Sequence, residues 1–272
     1  MKKLLMLIPA ALILFGCGSE KGNEIPPAVD NAPAASQGPT GRIRGVVRLK
    51  GEAPTPTFEP VAENQNVCGE RVPLSRLTVG NEKGVQYAFV YLDGVPSTEK
   101  ARPRESLLVD QKNCQYTPHS LVVPAGSKIE ITNSDPILHN VQGHQITDQG
   151  QQTLFNIAQP VRGQRTTVET SLTPGIVSLT CEAGHPWMSG YVFVANHPYV
   201  TVTRDDGEFV IEGVPPGTYR IKMWHEGVIL KRNLKALQQL EYEEPYVSVQ
   251  DVTVQANSDA VVNFDLVLRS GT

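Results

Sequence analysis

The stretch Cys181-Glu-Ala-Gly-His185-Pro-Trp-Met188, with His139 well upstream, decides how this chain is read. One short loop holds a thiol, an imidazole and a thioether, and a distant segment supplies a second imidazole. Soft thiolate and thioether ligands select copper; two imidazoles and a thiolate make a trigonal plane, and a thioether suits a long, weak axial position. The set His139, Cys181, His185 and Met188 therefore reads as one mononuclear blue-copper site per chain. Met188 is one of only two methionines beyond the first sixteen residues, which argues against its placement by chance.

His139 lies in Asn133-Ser-Asp-Pro-Ile-Leu-His139-Asn140-Val141, after the apolar alternation Leu121-Val-Val-Pro-Ala-Gly-Ser-Lys-Ile-Glu-Ile-Thr132. On these residues the chain resembles the cupredoxins, the plastocyanin and amicyanin family. That family shows a Gly-x-x-Val/Ile-x-Phe/Ile-x-Asn strand, a His-Asn pair, and a C-terminal Cys…His…Met loop. The resemblance implies a Greek-key β-sandwich, the four copper ligands, and an Asn140 that pins the ligand loop. It also implies an exposed edge of His185, ringed by Pro186 and Trp187, as the electron exit port. The spacing departs from the pattern. Amicyanin-like loops have two residues between Cys and His and two between His and Met; plastocyanin-like loops have two and four. This chain has three and two, and the additional residue is assigned to Gly184, whose backbone reaches angles closed to other residues. His119, in Cys114-Gln-Tyr-Thr-Pro-His119, and His144, five residues past His139 across a Gln-Gly turn, are candidate additional metal ligands. The alternative for both is a surface or hydrogen-bonded core histidine.

The start of the chain speaks to location. Met1-Lys-Lys precedes an apolar run over residues 4–15, too short to span a bilayer. Leu14-Phe-Gly-Cys17 resembles a bacterial lipobox, which makes residues 1–16 a lipoprotein signal peptide and Cys17 the lipidation site. An ordinary secretory signal cut elsewhere is the alternative. Gly18 after Cys17 points, by the enterobacterial sorting rule, to the outer membrane. The expectation is a periplasmic or cell-surface protein anchored by lipid. Disulfides persist there, and with Cys17 taking lipid and Cys181 metal, Cys68 and Cys114 remain as a disulfide or as two free thiols. Closing that loop contributes roughly 3–4 kcal/mol on a chain-entropy model. Loss of Lys2 and Lys3 lowers the formal charge from −4 to about −6, an acidic balance that argues against nucleic acid. Residues 17–40 are rich in Pro, Ala, Ser and Gly and read as a disordered tether with an r.m.s. reach of roughly 25 Å.

From residue 41 the sequence is all-β. Gly41-Arg-Ile-Arg-Gly-Val-Val-Arg-Leu-Lys, Val85-Gln-Tyr-Ala-Phe-Val-Tyr-Leu and Val247-Ser-Val-Gln-Asp-Val-Thr-Val alternate between Gly, Pro, Asn and Asp clusters. The spacing of Leu234, Leu237 and Leu240 predicts one helix near residues 231–241. Arg204-Asp-Asp-Gly-Glu-Phe-Val-Ile-Glu-Gly-Val-Pro-Pro-Gly-Thr-Tyr-Arg-Ile resembles the carboxypeptidase regulatory-like (Ig/prealbumin-like) β-sandwich, with turns at Gly207 and Pro215-Pro-Gly217. The resulting division is an N-terminal β segment 41–106, a cupredoxin domain 107–196 and a regulatory-like sandwich 197–272. The segment 41–106 could complete that sandwich around an inserted cupredoxin; three consecutive β units are the alternative.

Function follows from what such a site does. The chain shows no Ser-His-Asp order, P-loop or zinc-protease helix, so the reading is an electron carrier and not an enzyme. It would pass single electrons between redox partners such as a c-type cytochrome or a membrane redox enzyme. Two other readings stay open: periplasmic copper capture or delivery, and a metal-free module that binds carbohydrate or protein.

Overall fold

A computed structural model describes residues 38–95, 101, 107–170, 173–234 and 239–269. The signal segment, Cys17 and all but the end of the tether lie outside the described residues.

The chain builds two β-sandwiches. The first begins with strand Gly41–Lys50, whose alternating exposure buries Ile43, Val47 and Leu49. This strand is the spine of a four-stranded sheet. It pairs antiparallel with Glu208–Val214 and parallel with Asp259–Val261 and Phe264–Val267. Gly45 permits that crowding, since a Cβ there would sit 1.6 Å from the Val262 carbonyl oxygen. The facing sheet runs Val200–Val202, Phe89–Asp93, Gly217–His225, Tyr246–Val254. Between them Leu92, Phe209, Ile221, Met223 and Phe264 are closed off from solvent. The turn before Glu208 uses Gly207 at φ 75° and is closed by Arg204 N–H donating to the Glu208 carbonyl at 3.0 Å. Pro215 and Pro216 then carry the chain from one sheet to the other.

The second sandwich is formed by the chain between residues 107 and 195. Its larger sheet runs Gly150–Gln159, His139–Thr147, Gly175–Thr180, Ser189–Ala195, Ser120–Pro124, and the facing sheet runs Arg165–Glu169, Lys128–Asn133, Leu107–Lys112, Gln115–Thr117. Ser189–Ala195 with Ser120–Pro124, and Leu107–Lys112 with Lys128–Asn133, are parallel pairs in a mostly antiparallel frame. Val109, Ile131, Val141, Val177 and Val192 fill the interior.

The two sandwiches share a wall. Phe89, Val200 and Trp224 of the first pack on Val122, Ile176, Tyr191 and Phe193 of the second, with Phe89 and Phe193 ring centroids 5.5 Å apart and Tyr191 and Trp224 5.1 Å. Strand Ser189–Ala195 therefore has no solvent face. Val192 and Val194 enter one core, and Tyr191, Phe193 and Ala195 enter the wall.

The predicted helix near residues 231–241 is a correction. Leu230–Leu234 and Gln239–Tyr242 pair as an antiparallel hairpin, and residues 235–238, Leu237 among them, lie outside the described residues. Asn233 donates to Glu59 at 3.1 Å and the Tyr242 hydroxyl to the Leu74 carbonyl at 2.9 Å. These long-range bonds override a local spacing that reads as helical. The one α-helix among the described residues is a single turn, Gln65–Cys68, and its Cys68 forms a disulfide with Cys114.

Candidate metal centre

The chemistry gathers at one end of the second sandwich. His139 opens a strand, Cys181 follows the strand Gly175–Thr180 beside it, and the loop runs through His185 and Met188 into Ser189–Ala195. Gly184 stands at φ 82°, so the loop's additional residue is absorbed in a left-handed turn that glycine takes without strain.

Ligating atoms of His139, Cys181 and His185 lie within 4.8 Å of one another. Cys181 Sγ is 3.7 Å from His185 Nδ1, and the two imidazole centroids are 4.8 Å apart. All three residues and Met188 are buried, Met188 in the same cluster as Cys181. The backbone N–H of Asn140 donates to Cys181 Sγ at 3.5 Å, and its side-chain oxygen accepts the N–H of Glu182 at 3.0 Å. Asn140 therefore ties the His139 strand to the start of the ligand loop, and its amide nitrogen continues to Asn156.

Three further residues hold this arrangement and were not singled out from the sequence. The carboxylate of Asp135 is buried and accepts N–H bonds from Asn113 at 2.8 Å and Cys114 at 2.9 Å, while lying 2.8 Å from His139 Nε2. An imidazole whose Nε2 carries the proton for this contact presents Nδ1 as a bare lone pair. His139 Nδ1 is buried and has no hydrogen-bond partner. Tyr116 shares its hydroxyl proton between the Asn140 carbonyl, 2.7 Å, and the Thr180 carbonyl, 2.8 Å, and so bridges the two ligand-bearing strands. Asn156 completes the set. An Asp four residues before a metal-ligating His was the one signal that would have found Asp135.

These residues fit copper. A buried nitrogen without a partner is costly unless something accepts its lone pair, and a nitrogen of the same ring is grouped with the Cys181 thiol and the His185 imidazole. Burial, with the neighbouring His139, pushes His185 down to about 4, so it is a neutral ligand at ordinary pH. Burial pushes the Cys181 thiol up, partly offset by the N–H groups of Asn140 and Ala183. A metal taken up here must displace that proton.

The structure corrects the expected exit port and sets His144 and His119 apart from the ligand cluster. His185 is only 2% exposed, not open at an edge. Trp187 stands edge-on at 5.4 Å with its indole N–H on the Cys114 carbonyl, Pro186 is half-buried, and the sulfurs of the Cys68–Cys114 disulfide fall within 4.8 Å of a His185 nitrogen. His144 does not join the site. Residues 142 and 143 continue the strand and make no turn, so positions 139 and 144 project to opposite faces; His144 meets Thr153 Oγ1 at 3.1 Å. His119 is likewise elsewhere, paired with the buried Glu226 and tilted against Tyr87.

Several solved structures are similar to part of this chain. Among solved structures, a reduced Cu(I) form of an amicyanin variant matches at 22% identity over 39% of this chain and 98% of its own, with a TM-score of 0.28. A purple cupredoxin from Nitrosopumilus maritimus matches at 26% identity over 34% of this chain and 100% of its own, TM-score 0.28. A copper-containing nitrite reductase from Thermus scotoductus matches at 21% identity and TM-score 0.29, over 38% of this chain but 25% of the reductase. The chain thus spans a quarter of that enzyme's length. Residues 173–262 match the family described as polysaccharide lyase family 4, domain II. The matching family is not the carboxypeptidase regulatory-like one that residues 204–221 resemble. In the structure Gly207 makes the turn before strand Glu208–Val214 and Phe209 is buried in the first sandwich. No curated protein sequence matches the chain.

Proposed function

We propose that this protein is a membrane-tethered, extracytoplasmic type-1 copper protein that carries single electrons between redox partners and catalyses no reaction of its own. Two observations carry the reading: a ring nitrogen of His139 lies within 4.8 Å of ligating atoms of Cys181 and His185, and the buried Nδ1 of the same ring has no hydrogen-bond partner. His139, Cys181 and His185 would hold the ion, with Met188 as the weak fourth ligand; bound copper supplies a one-electron couple.

The protein's own contribution is rigidity and dryness. Asp135 fixes the His139 ring, Asn140 donates to the Cys181 sulfur, and Tyr116 locks the flanking strands together. Donors held in place from several sides do not need to move when charge changes, which keeps the barrier to electron transfer low. Trp187, edge-on to His185 and half-buried, is the route from the site toward a docked partner. A tether over residues 17–40 would let the folded head reach that partner from a lipid anchor at Cys17.

The test is the visible and EPR spectrum of the protein with one equivalent of Cu(II), beside Cys181→Ser. An intense thiolate-to-copper charge-transfer band with narrow parallel hyperfine splitting, absent from the variant, supports the carrier. A pale spectrum without a thiolate band overturns it. Tight Cu(I) binding without reversible oxidation would transfer the assignment to copper capture and delivery.

A further inference from the structure

The Cys68–Cys114 disulfide does more than close a loop. Its two sulfurs and a nitrogen of His185 lie within 4.8 Å of one another, and Cys114 Sγ lies equally close to Asp135 and His139. Cys114 is fully buried and Cys68 half-buried. The bridge also joins different parts of the fold. Cys68 ends the short helix in the long excursion after strand Gly41–Lys50, whereas Cys114 sits at the tight turn between Leu107–Lys112 and Gln115–Thr117. A staple meant only for stability has no need of a metal site's wall.

We infer that reducing this disulfide creates a second soft-metal site, made by the Cys68 and Cys114 thiolates with the His185 imidazole given up by the first site, whose Cu(I) stays on His139, Cys181 and Met188. The inference deepens the copper reading and rests on it for the choice of metal. Two thiolates and an imidazole are a donor set for a soft, low-coordinate cation. The nearby Asp135 carboxyl group disfavours bare thiolates at this spot and favours a cation between them.

The chemistry balances with a dithiol reductant. One thiolate of the dithiol attacks Cys68 Sγ, the more accessible sulfur, and the Cys68–Cys114 bond breaks with Cys114 leaving as thiolate. The second thiol of the dithiol resolves the mixed disulfide and frees Cys68. Two electrons pass from the dithiol, which becomes a disulfide. Cu(I) then displaces the protons of the two thiols without any change in its own oxidation state. The oxidised protein would hold one copper and carry electrons, and the reduced protein would hold two and retain them.

The experiment counts Cu(I) per chain by competition with bicinchoninate under anaerobic conditions. It compares the protein as purified with protein reduced by a phosphine that is removed before titration. The expected result is one equivalent before reduction and two after, the second missing from Cys68→Ser/Cys114→Ser and kept in Cys181→Ser. In the Cys181→Ser background, adding His185→Ala should weaken the remaining equivalent by at least about tenfold, since even partners outside the ligand set are worth that much. Thiols on an unfolded chain would not respond to His185, so this variant separates a built site from loose capture. One equivalent in both states, a second equivalent indifferent to His185, or loss of near-UV circular dichroism on reduction would each overturn the inference. Failure of the carrier reading shows separately, as the absence of the Cys181-dependent equivalent in the oxidised protein.

Discussion

Asp135 Oδ2 lies 2.8 Å from His139 Nε2, and the same carboxylate accepts the N–H groups of Asn113 and Cys114. One buried side chain thus orients a ligand ring and anchors the turn that carries the disulfide. Asp135→Asn retains the shape but weakens the grip on the ring. Copper affinity should fall about 10- to 100-fold, the usual cost of losing such a partner. Chelator competition measures this, and an unchanged affinity would remove Asp135 from the site.

Tyr116 offers a second lever. Replacing it with Phe removes the hydroxyl and leaves the buried Asn140 and Thr180 carbonyls without its proton. The expected loss is about 1–2 kcal/mol of stability, read as a lower urea midpoint in the metal-free protein. The copper spectrum should shift in the same variant, because the two ligand-bearing strands lose their common clamp. A destabilised variant with an unaltered spectrum would make Tyr116 structural only.

The wall between the sandwiches predicts shared unfolding. Phe89 is completely buried among Phe193, Trp224 and Val122. Phe89→Ala should cost roughly 3–5 kcal/mol and split a single calorimetric transition into two. If the transition stays single and its midpoint stays put, the wall does not couple the sandwiches.

Acid should weaken the metal-free fold in two stages. Burial pushes both His197 and His225 below the ordinary value of 6.5. An unfolded chain binds protons at these positions before the folded one does, so stability present above pH 6.5 is lost as pH falls below it. Glu226 is lowered from 4.5 although burial opposes this, because the charges of His119 and Arg76 outweigh it. Its contribution is lost only below pH 4.5. Urea midpoints between pH 8 and 3 should therefore decline gently and then steeply, and His225→Gln should flatten the first stage. A midpoint independent of pH between 7 and 5 would contradict the assignment.

Much of this molecule is legible in its sequence because the relevant residues are local and chemically unusual. Cys181, His185 and Met188 share eight positions, and few roles require a thiol, an imidazole and a thioether so close together. The alternation of Gly41–Lys50 announces a strand with one buried face. What was not legible depends on distant chain segments. Asp135 was not singled out until the fold set its carboxylate 2.8 Å from His139 Nε2, and nothing near His185 in the sequence announces that Cys68 lies within 4.8 Å of it. Gln142-Gly143 reads as a turn, whereas Gly143 is a strand residue that makes room for the Phe155 ring; a Cβ there would lie 2.4 Å from it. The hairpin at Leu230–Tyr242 defeated a helical spacing for the same reason. Its partners, Glu59 and Leu74, lie more than a hundred residues earlier.

Strand Ser189–Ala195 begins one residue after Met188 and is buried along nearly its whole length between two cores. A side chain changed at Tyr191 or Phe193 is felt by the neighbouring sandwich, and one changed at Val192 or Val194 by the core that also holds Cys181 and Met188. The strand can neither slide nor repack to suit one side alone. A loop exchanged into this protein from another must therefore end on a strand that already fits both neighbours.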